Sequence, residues 1–237
     1  MRAGPRGRDD DGVILVAVLA LLGLLAAVAL GGALVVGPEP LVAAAFADRV
    51  RLERAADMAL RLAMQPLADG ADWQTAPTLL VTGVVDGAPG LRPIGRGTVD
   101  LVRETAVRTC GRPACDDTAI AAPSEARPFG ASNPRWRLVL HAPIAAVHPA
   151  ADAACACYLA AWIADDPADA DGDPWADAPA GTPGHHAVLL RGAAFGPAGV
   201  AEVEALVARN CTGNGAADPC EPGIRVQSWQ LVRVALP

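Results

Sequence analysis

The chain has 237 residues, a formal charge of −7, no lysine and an aromatic content of only 4%. Its arginines are scattered, and no basic block could neutralise a run of phosphates, which argues against nucleic acid as a partner. Without its apolar N-terminal segment about 200 residues remain, the length of one domain, whose core must be built from Val, Leu and Ala around five Trp.

Residues 1–12 read as a cytoplasmic leader. Residues 13–37, Val13 to Gly37, hold 25 positions without charge or proline. At about 1.5 Å per helical residue they exceed a hydrocarbon thickness of roughly 30 Å, so they are predicted to span a membrane once. A cleaved secretory signal has a shorter apolar core of about 7–15 residues. Arg2, Arg6 and Arg8 precede the span and Arg49 and Arg51 follow it, so charge bias orients it weakly. The cysteines orient it better. Cys110, Cys115, Cys155, Cys157, Cys211 and Cys220 all follow the span, and their even number suits an oxidising compartment outside the cytoplasm. The short loops Cys110 to Cys115 and Cys211 to Cys220 are the expected bridges. Cys155 and Cys157 in an extended strand would share one face, where a bridge between them would be strained.

Residues 38–237 read as one extracytoplasmic domain. Pro38 and Pro40 break the first helix, and a second is predicted from Leu41 to Gln65, stopped by Pro66. Val42, Phe46, Val50, Ala56, Ala59, Leu60 and Ala63 lie near one face of it, with charges elsewhere. After Gly70, apolar runs alternate with Gly/Pro/Asp turns: 78–85, 97–108, 136–141, 157–163, 187–194, 200–208 and 225–235. Ala201, Val203, Ala205 and Val207 against Glu202 and Glu204 mark a half-buried antiparallel strand. Helix first and sheet after predicts an α+β fold in which one sheet face packs on the second helix.

Few residues suggest site chemistry. Asp165 to Asp177 concentrates carboxylates around a glycine turn, with Asp169, Asp171 and Asp173 the best Ca2+ ligand set, but no glutamate completes an EF-hand spacing. Calcium is the only cofactor this run suggests, and a solvated acidic loop is the simpler reading of it. A zinc site combining His141, His148, His185 and His186 with Cys155 and Cys157 is set aside, because extracytoplasmic cysteines oxidise and adjacent histidines do not aim at one metal. Ser124, Ser132 and Ser228 lie in no nucleophile elbow, so no enzymatic activity is expected.

The segment Ala45 to Leu60, placed just after the anchor, resembles the stretch following the membrane helix in PilX-like minor pilins. Asp72–Trp73, Tyr158 to Pro167, Asp171 to Asp173, Leu189 to Pro197 and Val226 to Trp229 resemble further phrases of those proteins. The resemblance implies a pilin-like fold, a long N-terminal helix whose first half spans the membrane and which packs on an antiparallel sheet. It implies a class III signal cut by a prepilin peptidase after Gly12, leaving Val13 as a methylated new N-terminus. Asp9, Asp10 and Asp11 stand where a basic lead is usual, and Ala17 stands at the position of the major pilins' glutamate, which suits a tip or initiation subunit. The implied role is type IV pilus assembly, priming or tip function from the inner membrane, with other pilin subunits and the assembly machinery as partners. The alternatives are a minor pseudopilin of type II secretion and a membrane-tethered, calcium-dependent binding module.

Overall fold

The computed structural model describes residues 10–36, 39–125, 127–152, 155–169, 172–177, 186–211 and 220–235. The chain divides into two compact units, Met1–Ala47 and Asp48–Pro237. The first carries helix α1 (Asp10–Val36). Its window Val13–Gly31 has a mean hydropathy of 3.1 and is nowhere buried. An apolar surface on all sides of 19 consecutive residues suits lipid and not water, so the chain carries one N-terminal helix long and apolar enough to cross a membrane. Helix α2 (Glu39–Ala68) follows and runs on into the second unit.

In the second unit α2 buries Leu52, Ala55, Ala56, Ala59, Leu60, Ala63 and Leu67, at one-turn spacing. Its outer face carries the ion pairs Arg51–Asp48, Arg49–Glu53 and Arg61–Asp57, at 2.7–2.8 Å. Among the apolar positions expected on one face, Val50 is half-buried and Val42 and Phe46 are exposed. Pro66 does not stop the helix. It lacks an amide donor but sits in the last turn, and α2 continues to Ala68. The stop is Gly70, at φ +104°, with the Ala71 N–H donating to the Pro66 carbonyl at 2.9 Å in a Schellman closure.

The sheet is fully antiparallel with strands in sequence order: β3 (Arg137–Pro143), β4 (Tyr158–Asp165), β5 (Ala187–Gly196), β6 (Gly199–Cys211) and β7 (Cys220–Ala235). This is the α+β architecture expected from helix first and strands after. Five of the predicted runs became these strands. Two did not. Residues 78–85 contain the end of a short helix α3 (Ala76–Leu79) and an irregular stretch that meets the sheet through an isolated parallel bridge, Val85 to His141, and through the Thr82 hydroxyl, which donates to the Val139 carbonyl at 2.6 Å. Residues 97–108 split into β2 (Gly97–Asp100), paired with β1 (Leu91–Ile94), and helix α4 (Leu101–Cys110). Asp100 caps that helix, accepting from Val102 N and Arg103 N at 3.0 and 3.2 Å, and Gly111 at φ +72° closes it. Both end signals, Asp100 and Gly111, are present in the sequence.

The sheet has a core on each face. On one, α2 packs against Leu140, Leu159, Ile163, Leu190, Val203 and Val207, among others. On the other, Val99 and Leu101 from β2 and α4 cover Trp136, Tyr158, Trp162 and Phe195. All eight residues of β4 are therefore buried, whereas the sequence pointed to one covered face only. A central strand buried twice reads as a continuous apolar run, and Tyr158 to Ala164 is such a run.

The helix lies very close to β5. A Cβ built on Gly192 would stand 2.5 Å from the Ala56 carbonyl and 2.7 Å from the Leu60 amide nitrogen. Gly192→Ala is expected to destabilise the chain by about 3 kcal/mol, since the clash is with backbone, and Leu60→Ala by about 2–5 kcal/mol through its cavity. Phe46→Ala should cost less than about 0.5 kcal/mol. Urea unfolding of the detergent-solubilised full chain, followed by tryptophan fluorescence, checks all three.

Candidate functional site

Among the described residues, three groups of side chains are of functional interest. The first lies under α4. The Arg108 guanidinium donates to Glu202 at 2.5 Å and to Glu104 at 2.8 Å, with Arg108 and Glu202 side chains each only 4% exposed. Arg191, on β5, reaches Glu202 at 3.2 Å and Glu204 at 2.8 Å, and Gln230 donates to Glu204 at 2.8 Å. Both arginines stack on tryptophan, Arg108 at 3.8 Å from the Trp162 ring centre and Arg191 at 4.5 Å from that of Trp136. Glu202 and Glu204, read in the sequence as a solvated strand face, are thus pieces of a buried alternating charge layer. The register sets Arg191 opposite Glu204, a pairing that no single strand reveals.

The second group ties residues 84–92 to the sheet. One oxygen of Asp86 accepts from Tyr158 Oη at 2.8 Å and Arg92 Nε at 3.1 Å, and lies 2.8 Å from His141 Nδ1, which therefore carries the ring proton. Burial works against the charged Asp86, but the hydrogen bonds from Tyr158, Arg92 and His141 together outweigh it and hold the carboxyl below its usual range. Burial first, and the bond to Asp86 second, push the Tyr158 phenol far above its ordinary value. Among the described residues the His141 ring bonds Asp86 and Tyr158. The cluster holds the chain between α3 and β1 against β3 and β4. No sequence motif announces it.

The third group is covalent. Cys110 is bonded to Cys115, Cys155 to Cys157 and Cys211 to Cys220. The Cys155–Cys157 bridge forms because these residues precede β4, which begins at Tyr158, and so are not held in the extended strand assumed from sequence. Cys157 Sγ lies where a Cβ on Gly196 would meet it at 3.1 Å. The Cys211–Cys220 bridge joins directly opposed residues at the hairpin end of the β6–β7 ladder, and the His186 ring nitrogen Nδ1 stands 3.5 Å from Cys211 Sγ. The structure therefore brings a histidine to cysteines other than those weighed for zinc.

Of the calcium set, Asp171 lies outside the described residues, as does the Asp169 side chain, and Asp173 accepts from Trp175 N at 3.0 Å in a local turn. His185 also lies outside them, and His141 and His148 sit on β3 and just after the short helix Ile144–Val147. Val13 begins the apolar window of α1 and is exposed, with Gly12 one residue before it in the same helix. Between α2 and β7 runs a groove of about 560 Å3, floored by Val50, Leu60, Met64, Val226 and Trp229 and rimmed by charges of both signs.

Removing one partner of the buried charge layer strands the others. Glu202→Gln is expected to cost about 3–5 kcal/mol, while Arg108→Met with Glu202→Leu recovers most of it, measured by urea unfolding. Asp86 has a depressed folded pKa, so its stabilising contribution is present above its unfolded value of about 3.9 and disappears as pH falls through the folded one. Asp86→Asn should therefore destabilise at pH 7 and lose that penalty in strong acid, read from unfolding midpoints across pH. No family model, no curated protein and no solved structure matches the chain.

Proposed function

We propose that this chain is a membrane-anchored, minor pilin-like subunit that serves type IV pilus assembly, in priming or at the tip. One observation carries the reading. An apolar α1 is followed at once by α2, and α2 buries a stripe of small residues against an antiparallel sheet in the order that the Ala45 to Leu60 resemblance implies. In this reading α1 stores the subunit in the inner membrane and then packs with the helices of other pilin subunits. The disulfide-braced sheet domain faces outward. The residues that matter in this reading are surfaces and anchors.

Mass spectrometry of the most N-terminal peptide, from protein recovered from its own cell envelope, tests the proposal. The expected peptide begins at Val13, the product of prepilin-peptidase cleavage after Gly12. An intact Met1 or Arg2 start would replace the pilin reading with a signal-anchored domain.

A further inference from the structure

His186 is not required by the disulfide it touches. A cross-strand bridge between Cys211 and Cys220 is complete in itself, yet His186 is held beside it from both sides. Its N–H donates to both carboxylate oxygens of Asp177, at 2.7 and 2.8 Å, and its carbonyl accepts from Arg209 N at 2.9 Å. Among the described residues it is the only non-glycine with positive φ, at 61°, a conformation that is uncommon outside glycine and in which histidine is one of the tolerated exceptions. Asp177 is itself buried.

The ligand atoms of His186, Cys211 and Cys220 all lie within 4.8 Å of one another, each residue half-buried. Zinc binds sulfur at about 2.3 Å and imidazole nitrogen at about 2.0–2.1 Å. At a tetrahedral angle those bonds set sulfur and nitrogen about 3.6 Å apart, and Nδ1 to Cys211 Sγ is 3.5 Å. The β6–β7 pairing that opposes Cys211 and Cys220 keeps two thiolates side by side when they are not bonded to each other.

We propose that the dithiol form of the chain binds one soft divalent cation of the zinc type through His186 Nδ1, Cys211 Sγ and Cys220 Sγ, with water in the fourth position, and that oxidation expels it. Every newly made chain carries thiols, so this form precedes the bridge without any reductant. Binding releases the two thiol protons, and the two sulfurs part to about 3.8 Å to suit the metal. When a disulfide donor oxidises the pair, the two thiolates give up two electrons, the donor takes them with two protons from water to become a dithiol, and the cation leaves. The site would pin the β6–β7 end early and then yield to the permanent bridge. This inference does not depend on the pilin reading.

The test uses detergent-solubilised full chain, reduced with a phosphine, which takes its oxygen from water to become the phosphine oxide while each sulfur gains a proton. Cobalt(II) serves as the probe, since thiolate-bound tetrahedral cobalt absorbs visibly, and zinc competes for the site. In a variant with Cys110, Cys115, Cys155 and Cys157 changed to Ser, one equivalent of cobalt is expected to give that absorption and to be displaced by one of zinc. His186→Ala should weaken binding at least tenfold, and reoxidation should abolish it. Should the four-serine variant not fold, reduced wild type is compared with reduced His186→Ala, and wild type should bind one equivalent more tightly. Equal uptake with and without His186 overturns the proposal, as does cobalt retained after Cys211 and Cys220 are oxidised.

Discussion

The backbone of α2 rests on the sheet at Gly192 with no side chain between them. That approach, 2.5 Å from a hypothetical Cβ to the Ala56 carbonyl, requires glycine on β5 and small residues on the helix, and Ala55, Ala56, Ala59 and Ala63 supply them. A chain poor in aromatics gains its packing density by drawing backbone close to backbone. The larger residues then fill the space around this contact: Leu52, Leu60 and Leu67 from the helix, Leu159, Ile163 and Leu190 from the sheet.

The opposite face solves the same problem by other means. There the large side chains are concentrated, with Trp136, Tyr158, Trp162 and Phe195, and the cover is a short helix instead of a long one. A ten-residue α4 has too few apolar positions to seal the sheet, and Arg108 lies flat on Trp162 while its charge is met by Glu104 and Glu202. Buried pairs of this kind are weak contributors to net stability but costly to break singly. They fix where α4 sits, as Asp86 fixes the chain between α3 and β1 through Tyr158, Arg92 and His141.

Much of the architecture was legible in the sequence because it rests on local patterns. The apolar run from Val13, the one-turn spacing of Ala56, Leu60 and Ala63, and five of the strand runs needed no knowledge of tertiary partners. What sequence obscured depends on distant pairings. Glu202 looked solvated because Arg108 is 94 residues away. Residues 97–108 form one apolar run in the sequence, which the cap at Asp100 and the closure at Gly111 divide into strand and helix. Pro66 looked like a stop, but a proline in the last turn forgoes only the one bond to its i−4 carbonyl, and the helix ends where the turn at Gly70 closes it. The Asp86 cluster and the approach of His186 to Cys211 come from separate elements, and neither leaves a motif.

A domain braced by three disulfide bridges behind an apolar anchor needs an oxidising compartment to keep those bridges. Acid-quenching intact cells, alkylating the denatured protein and counting modified cysteines by mass spectrometry tests that requirement most directly. None of the six cysteines should be modified in the mature protein, and non-reducing peptides should pair Cys110 with Cys115, Cys155 with Cys157 and Cys211 with Cys220. Six modified thiols in the steady-state population would contradict the account and place the domain on the cytoplasmic side.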